Sequence, residues 1–377
     1  MSPATPLVRD SDRRVSGRIS GSADTGFTGG AAQTGCMRYR TMGNTGTVVS
    51  VQALGTMTFG AEADEDTSGS IIEAYVAGGG NFLDTADVYS QGVSEQIIGR
   101  WLAAHPTEAR QLVIATKGRF PMGPGANDHG TSRRHLSDAL DASLRRLGLE
   151  TVDLYQMHAW DALTPIEETL RFLDDAVAAG KIRAYGFSNY LGYQLTKAAW
   201  VARTHGWAAP ATLQPQYSLL VRGIEHEIVP AALDEGIGLL PWSPLAGGWL
   251  SGKYTRGTAP TGATRLGENP DRGMEAWGPR SEDDHTWAVI DAVREVADAA
   301  GTTSAAVALA WVDAQPAVTS TILGARTVEQ LEQNLAAADL DLGAEALALL
   351  TEVSTPRTEV YPYGPQAVQQ RFRALVP

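Results

Sequence analysis

The chain has 377 residues, of which 43% are hydrophobic and 19% charged, with a formal net charge of −13. That length is enough for one large core or two modest ones, and the acidic balance argues against surfaces for nucleic acid or anionic membranes, which need clustered Lys and Arg. The single cysteine, Cys36, cannot form an intrachain disulfide, which points to a reducing, cytoplasmic setting, and no apolar run approaches the roughly 18–20 residues that span a bilayer.

Residues 1–36 are rich in Ser, Gly, Thr, Ala and Arg and poor in large apolar residues, so burial cannot offset the entropy of ordering them. They are expected to be a disordered tail or an over-long translation start ahead of a domain that begins at Met37. The pair Arg13-Arg14 has no apolar stretch behind it, which argues against an export signal. A hairpin is predicted next, from 38–41 and 47–51 across "MGNTG". Strands are predicted at 53–56, 81–84, 112–117, 152–158, 182–188, 212–214, 237–242 and 320–323. Helical spacing of apolar residues fills 67–77, 94–104, 132–147, 165–179, 191–204, 225–235, 284–300 and 328–338, with extra helices at 304–314 and 344–353. Thr164 is expected to cap the helix that Pro165 opens, and Gly78, Gly180 and Gly236 to end theirs.

Eight strand–helix units imply a parallel sheet. Nothing divides them into halves, and no Gly-rich fingerprint follows the first strand. The α/β class is therefore expected to take the form of a (β/α)8 TIM barrel with an N-terminal β-hairpin and extra helices, spanning 37–357, with 358–377 as a C-terminal tail. Barrel enzymes carry their chemistry at the C-terminal strand ends, which here are Thr56, Asp84, Lys117, His158, Ser188-Asn189, Gln214, Trp242-Ser243 and Gly324. Polar or aromatic groups thus converge on one face.

The segments "DTADVYSQGVSEQIIG", "VIATKG", "DLYQMH", "GFSNY", "LQPQYSLL", "PWSPLAGGWLSGKY" and "ILGARTVEQLEQN", in that order, resemble the aldo-keto reductase superfamily, and in particular the branch that includes potassium-channel β subunits. The resemblance implies carbonyl reduction with a nicotinamide cofactor, usually NADPH, and a catalytic tetrad at Asp84, Tyr89, Lys117 and His158. Those residue types suit the chemistry. A carbonyl that receives hydride needs a proton, and a phenol with an ordinary pKa of about 10 can give one only if its phenolate is stabilised. The Lys117 ammonium would lower the Tyr89 pKa, Asp84 would hold Lys117, and His158 would bond the carbonyl oxygen. Of the two carboxylates in "NFLDTADVY", Asp87 is expected at a loop or pocket rim. Ser94-Glu95 is expected to be a helix N-terminal device.

The same resemblance implies a cofactor face. It comprises Gly55, Thr56 and Met57 at the first strand end; Ser188, Asn189 and Gln214 for a carboxamide; and Trp242 stacked on the nicotinamide. Ser243, Pro244, Leu245, Gly247 and Lys253 would take the pyrophosphate. Gly324 and Arg326 sit at a helix start that attracts phosphate, with Gln330 and Asn334 towards adenosine. Many family members have Lys at the position of Gly324 and Arg at that of Gln330. Here NADPH preference rests on Arg326 and Arg265, and NADH is the other option. No metal is expected. The long segment 246–279 reads as a cover over cofactor and substrate. Met57, Phe59, Trp160 and Tyr190 are either the walls of an apolar substrate pocket or barrel-rim packing. The tail after 357 would reach the pocket or an oligomer contact. The expected ligands are a small carbonyl or alcohol, with no nucleic acid or membrane partner. Two alternatives stand beside a general reductase: a keto-sugar reductase of secondary metabolism, and a redox-sensing subunit with little turnover. The channel subunits depart from the tetrad at the His position, which this chain keeps as His158.

Overall fold

Short β-rich runs separated by capped amphipathic helices build the computed structural model, which describes residues 37–262, 264–271, 273–356 and 362–363. The expected tail 1–36 lies outside the described residues, as does 358–377 apart from Pro362 and Tyr363. An antiparallel hairpin of β1 (Tyr39–Thr41) and β2 (Val48–Ser50) comes first. Eight parallel strands follow: β3 (Gln52–Gly55), β4 (Phe82–Asp84), β5 (Val113–Gly118), β6 (Val152–Met157), β7 (Ile182–Ser188), β8 (Thr212–Gln214), β9 (Gly238–Leu239) and β10 (Thr321–Gly324). They pair in the order β10-β3-β4-β5-β6-β7-β8-β9. The remaining gap closes through Leu239 N–H to Ala317 O at 2.7 Å, Thr319 N–H to Leu239 O at 2.8 Å and Ile322 N–H to Pro241 O at 2.9 Å. The result is a (β/α)8 barrel with an N-terminal hairpin.

The helices are α1 (Glu65–Ala77), α2 (Val93–Ala104), the short α3 (Pro106–Ala109), α4 (Arg133–Leu147), α5 (Ile166–Ala178), α6 (Gly192–His205) and α7 (Ile228–Glu235). After them come the short α8 (Arg265–Glu268) and α9 (Trp277–Ser281), then α10 (Asp284–Ala300), α11 (Ser304–Asp313), α12 (Val328–Leu335) and α13 (Gly343–Val353). Among the described residues no helix is long and apolar enough to cross a membrane. Strand alternation sends apolar side chains both ways. Inside the barrel, Ala53, Phe82, Ala115, Leu154 and Leu240 pack on Met42 and Val49 of the hairpin region, which plugs the lower end. Outside it, the helices cover the sheet in a much larger core.

Four expectations need correction. Thr164 does not cap α5: Pro165 holds the cap position without a side-chain bond, and the Thr164 hydroxyl donates to Asp161 Oδ2 at 2.7 Å. The helix expected over 225–235 splits into a 3-10 turn, Gly223–His226, and α7. Pro230 has no N–H for the His226 carbonyl and its ring would clash there, so the helix restarts with Pro230 in the first turn. The strand expected over 237–242 shortens to Gly238–Leu239, because Pro241 cannot donate to the ladder. The segment 246–279 is not a bare loop either. It contains a 3-10 stretch (Ala246–Ser251), α8 and α9, anchored where Trp249 stacks on Trp277 at 4.7 Å and 11°. Of the tail, Tyr363 stacks on His226 at 4.9 Å and donates to Glu227.

At the lower end, Asp313 is fully buried and accepts from Thr321 Oγ1 at 2.5 Å and Gln52 Nε2 at 3.1 Å, while Arg40 of the hairpin donates to Asp313 O at 2.7 Å and Val318 O at 2.6 Å. Burial pushes the Asp313 carboxyl up to about 6, against the pull of its two hydrogen bonds, Arg40 and Arg38. The folded state therefore favours the neutral acid. Its stabilising effect is complete below the ordinary carboxylate pKa and is lost as pH rises through about 6. Asp313→Asn should flatten the decline in unfolding free energy from pH 4 to 7, which for this group is on the order of 2–3 kcal/mol. The unpartnered Gln52 Oε1 can accept the new amide after a flip of Gln52. Chemical denaturation across that pH range checks it. An unchanged slope would place Asp313's charge outside the stability balance.

Candidate active site

The parallel register sets the polar strand ends side by side: Gly55 beside Asp84, Asp84 beside Ala115, Lys117 beside Gln156 and Ser188 beside Gln214. Asp84, Lys117 and Gln156 point into the barrel, where Lys117 is 0% exposed. An ammonium has three N–H bonds to satisfy. Lys117 Nζ meets Asp84 Oδ2 at 2.5 Å, Thr85 O at 2.8 Å and Tyr89 Oη at 3.2 Å. The other Asp84 oxygen accepts from Gln214 Nε2 at 2.8 Å and Gln156 Nε2 at 3.2 Å. Tyr89 reaches this position because the chain turns sharply after it. Ser90, Gln91 and Gly92 all take positive φ (47°, 54° and 90°), a costly conformation for the first two, and Ser90 Oγ donates to Phe59 O at 2.9 Å. His158 stands edge-on to Tyr89, with ring centroids 5.8 Å apart, and to Phe120, at 4.6 Å. All four expected tetrad residues thus meet at one mouth of the barrel.

Burial opposes the charge on Lys117, but Asp84 and then Tyr89 outweigh it and hold the ammonium above its ordinary value. The expected lowering of Tyr89 by Lys117 is present but outweighed. Burial pushes the phenol up, Lys117 recovers only part of this, and Asp84 and Asp87 add to the rise. His158 falls to about 2, through burial and then Lys117 and Arg119, so its ring is neutral. Its Nδ1 is buried without a partner.

Two further expectations fail behind the barrel wall. Asp87 is not at a rim but fully buried. Ser94-Glu95 does not cap α2, whose cap position is Gly92. Ser94 Oγ bonds Thr56 O and Thr56 Oγ1 at 2.9 Å, and Glu95 accepts from Thr116 Oγ1 at 2.5 Å and Arg146 Nε at 2.6 Å.

The rim next to the tetrad carries the residues expected at the cofactor face. Trp242 is half-buried at the end of the β9 segment, and its Nε1 donates to Asn189 Oδ1 at 3.1 Å. Asn189 in turn donates to His158 O at 3.0 Å and Ser188 Oγ at 3.1 Å. Asn189, Ser243 and Ala246 have positive φ, so strained backbone clusters on this side, while Gly247 and Gly248 take positive φ without strain. Lys253 is lowered by burial and then by Arg326, so two cations are held close together, an arrangement that suits an anion. Gly324 is exposed and open, and Thr327 caps α12 by accepting from Gln330 N–H at 3.3 Å. Several candidates have intramolecular duties. Gln214 holds Asp84, Thr56 Oγ1 donates to Asp84 O at 3.1 Å, and Gln330 Oε1 accepts from Arg326 N–H at 3.0 Å. Asn334 donates to Gly324 O at 3.5 Å. Arg326 itself pairs with Glu268 at 3.0 Å and Glu62 at 3.9 Å. Arg265 opens α8, beside this group in sequence, while Pro244 and Leu245 lead into the 3-10 stretch.

The four substrate candidates separate. Phe59 is 0% exposed and Tyr190 2%, stacked on Phe187 at 4.3 Å, so both are packing residues. Met57 is 44% exposed, next to Gly55 and Thr56, and Trp160 is half-buried, edge-on to Tyr190. Sequence reasoning missed Gln156, although its place two residues before His158, on the same strand face, was a readable signal. It also missed Glu62, Glu268 and Phe120, for which sequence carries none.

Comparison with known proteins agrees with this fold. The aldo/keto reductase family model matches residues 53–355. An uncharacterized oxidoreductase of Bacillus subtilis is 38% identical, over 84% of this chain and 96% of its own. A probable voltage-gated potassium channel subunit beta of Arabidopsis thaliana is 35% identical, over 86% and 96%. Versiconal hemiacetal acetate reductase of Aspergillus parasiticus is 33% identical, over 85% and 98%. With a family match across most of its length and the barrel to go with it, the chain belongs to the aldo/keto reductase family of NAD(P)H-dependent carbonyl oxidoreductases.

Proposed function

We propose that the chain reduces an aldehyde or ketone to an alcohol, reversibly and in the cytoplasm, with NADPH as cofactor and Tyr89 as general acid. The observation that carries this reading is the placing of one buried ammonium, Lys117, between Asp84 and the Tyr89 hydroxyl. A nicotinamide bound on this face would supply the hydride. Tyr89 then gives its Oη proton to the carbonyl oxygen, and Lys117 stabilises the phenolate left behind. Because burial raises its pKa, Tyr89 remains protonated until the substrate needs the proton. Asp84, held by Gln214 and Gln156, keeps Lys117 charged and oriented. Neutral His158 can offer one ring N–H to the carbonyl oxygen without adding charge that would repel Lys117. Trp242 would cover one face of the nicotinamide, the backbone of Ser243 to Gly247 with Lys253 would take the pyrophosphate, and Arg326 the 2′-phosphate. Met57 and Trp160 would flank the substrate. A relative named as a hemiacetal acetate reductase supports a carbonyl substrate of metabolite size, and a keto-sugar is the narrower form of this reading. The second reading, a redox-sensing subunit with little turnover, draws on the potassium-channel relatives. His158 weighs against it, and NADPH turnover with a panel of carbonyls separates the two.

Tyr89→Phe removes the hydroxyl, and with it the transferable proton and the weakest of the three bonds to Lys117, leaving Asp84 and Thr85 O to hold the ammonium. Turnover of an aldehyde whose chemical step limits the rate should fall about 10²–10⁴-fold, with NADPH affinity nearly unchanged. Near wild-type turnover would refute the assignment. Stopped-flow measurement of cofactor oxidation, with binding followed separately by fluorescence quenching, distinguishes the outcomes.

Cofactor choice has its own test. Charge-assisted bonds contribute roughly 1.5–3 kcal/mol, but Arg326 already pairs with Glu268 and Glu62, so a 2′-phosphate must displace carboxylates. Arg326→Ala should therefore weaken NADPH binding only about tenfold and barely alter NADH. Glu268→Gln should tighten NADPH binding while NADH stays level. Dissociation constants that move together for both cofactors would remove the 2′-phosphate from Arg326.

A further inference from the structure

Asp87 is fully buried, and both of its carboxylate oxygens lack a hydrogen-bond partner. Such groups are rare because an unpaired buried carboxyl is costly, and they gather at functional sites. Each element packed around Asp87 turns a polar or charged group towards it. β5 supplies Lys117, whose carbonyl accepts the Asp87 N–H at 3.1 Å. The turn after β4 supplies Tyr89, whose phenol senses the Asp87 carboxyl through space. From β6 comes the Tyr155 hydroxyl, also buried and unpartnered. α2 contributes Glu95, and α4 contributes its ion-pair partner Arg146. Residue 118 is glycine for a reason visible here: a Cβ would lie 2.2 Å from Tyr155 Oη and 3.6 Å from Asp87 Oδ2. Its absence leaves the two orphaned groups facing the same small space, next to the tetrad but outside it.

We propose that Asp87 is a positioning residue of the reductase, whose carboxyl sets the acid strength of Tyr89 through space and resets it on losing its proton. This rests on the reading of Tyr89 as proton donor. With Asp87 neutral, the field of Lys117 at the phenol is opposed by Asp84 alone. Once Asp87 ionises, a second anion opposes it, and Tyr89 holds its proton more tightly. Burial and then Glu95 push Asp87 up to about 7, with the Val88 amide, Arg146 and Lys117 easing the rise, so the change falls near neutral pH. The same raised value means that Asp87 stabilises the fold at acid pH and loses that effect as pH passes through about 7.

The experiment is a pair of pH profiles, carbonyl reduction and alcohol oxidation, for wild type, Asp87→Asn and Tyr89→Phe. Cofactor deuterated at the transferred position shows that chemistry limits the rate. In Asp87→Asn the alkaline inflection should move to lower pH by up to about one unit, and the wild-type inflection near neutrality should vanish. A purely structural Asp87 would alter thermal stability at pH 8 and leave the alkaline inflection in place, which overturns the proposal. An inflection that survives Tyr89→Phe overturns the Tyr89 assignment, and the proposal with it. One that is lost in Tyr89→Phe but unmoved in Asp87→Asn overturns the proposal alone. If Asp87→Asn does not fold, Glu95→Gln carries the test. Removing that neighbouring charge should move the near-neutral inflection towards acid, and an unmoved inflection counts against the proposal.

Discussion

A lysine with no solvent contact at the centre of a barrel constrains everything around it. Desolvating an ammonium costs several kcal/mol, and a buried ion pair is tolerable only when its geometry is good and its remaining bonds are met. Lys117 meets that demand with a carboxylate, a backbone carbonyl and a phenol. The phenol is the soft member of this set. Asp84 is tied to Gln156 and Gln214 from two further strands, and Thr85 O is part of the backbone, whereas Tyr89 sits on a strained turn and can change its charge. The satisfaction of one cation thus leaves a single group free to give up a proton at the barrel mouth.

That arrangement explains why strain collects where it does. Ser90 and Gln91, which aim Tyr89, and Asn189 and Ser243, which flank Trp242, take left-handed backbone that non-glycine residues seldom adopt. The structure around them is well supported: the parallel ladder fixes the strand ends, and stacked tryptophans pin the segment after Trp242. The barrel wall also separates two electrostatic environments. Inside it, Asp84 is bonded on both oxygens. Outside it, a few residues along the same turn, Asp87 is bonded on neither. Two carboxyls three positions apart in sequence therefore meet opposite fates.

Much of this was legible in the sequence. The strand pattern put Asp84, Lys117 and His158 at ends that a parallel register must align, and eight undivided strand–helix units without a Gly-rich fingerprint favoured a closed sheet over an open one. What failed did so for physical reasons. A carboxylate just beyond a strand end reads as solvated, and Asp87 is buried only because α2 and α4 close over it, joined by Glu95 and Arg146. Ser94 and Glu95 look like capping residues because both are common near helix starts, but the cap is Gly92 with a left-handed backbone. For Phe59 and Tyr190 the sequence left pocket wall and packing equally open, because aromatic bulk beside a barrel serves either, and both side chains are buried in the core. The carboxylates on Arg326 come from a distant loop and a short helix, contacts that no local pattern announces.

The central claim is that the field of Lys117 serves the transition state more than the fold or the cofactor. Its most direct test is Lys117→Met, which keeps the length and apolar stem and removes the charge. Single-turnover rates of carbonyl reduction and cofactor dissociation constants should be measured on the same preparation. The account predicts a fall of about 10²–10³-fold in the rate, with a full primary isotope effect and little change in cofactor affinity. A rate close to wild type in a folded variant would contradict it.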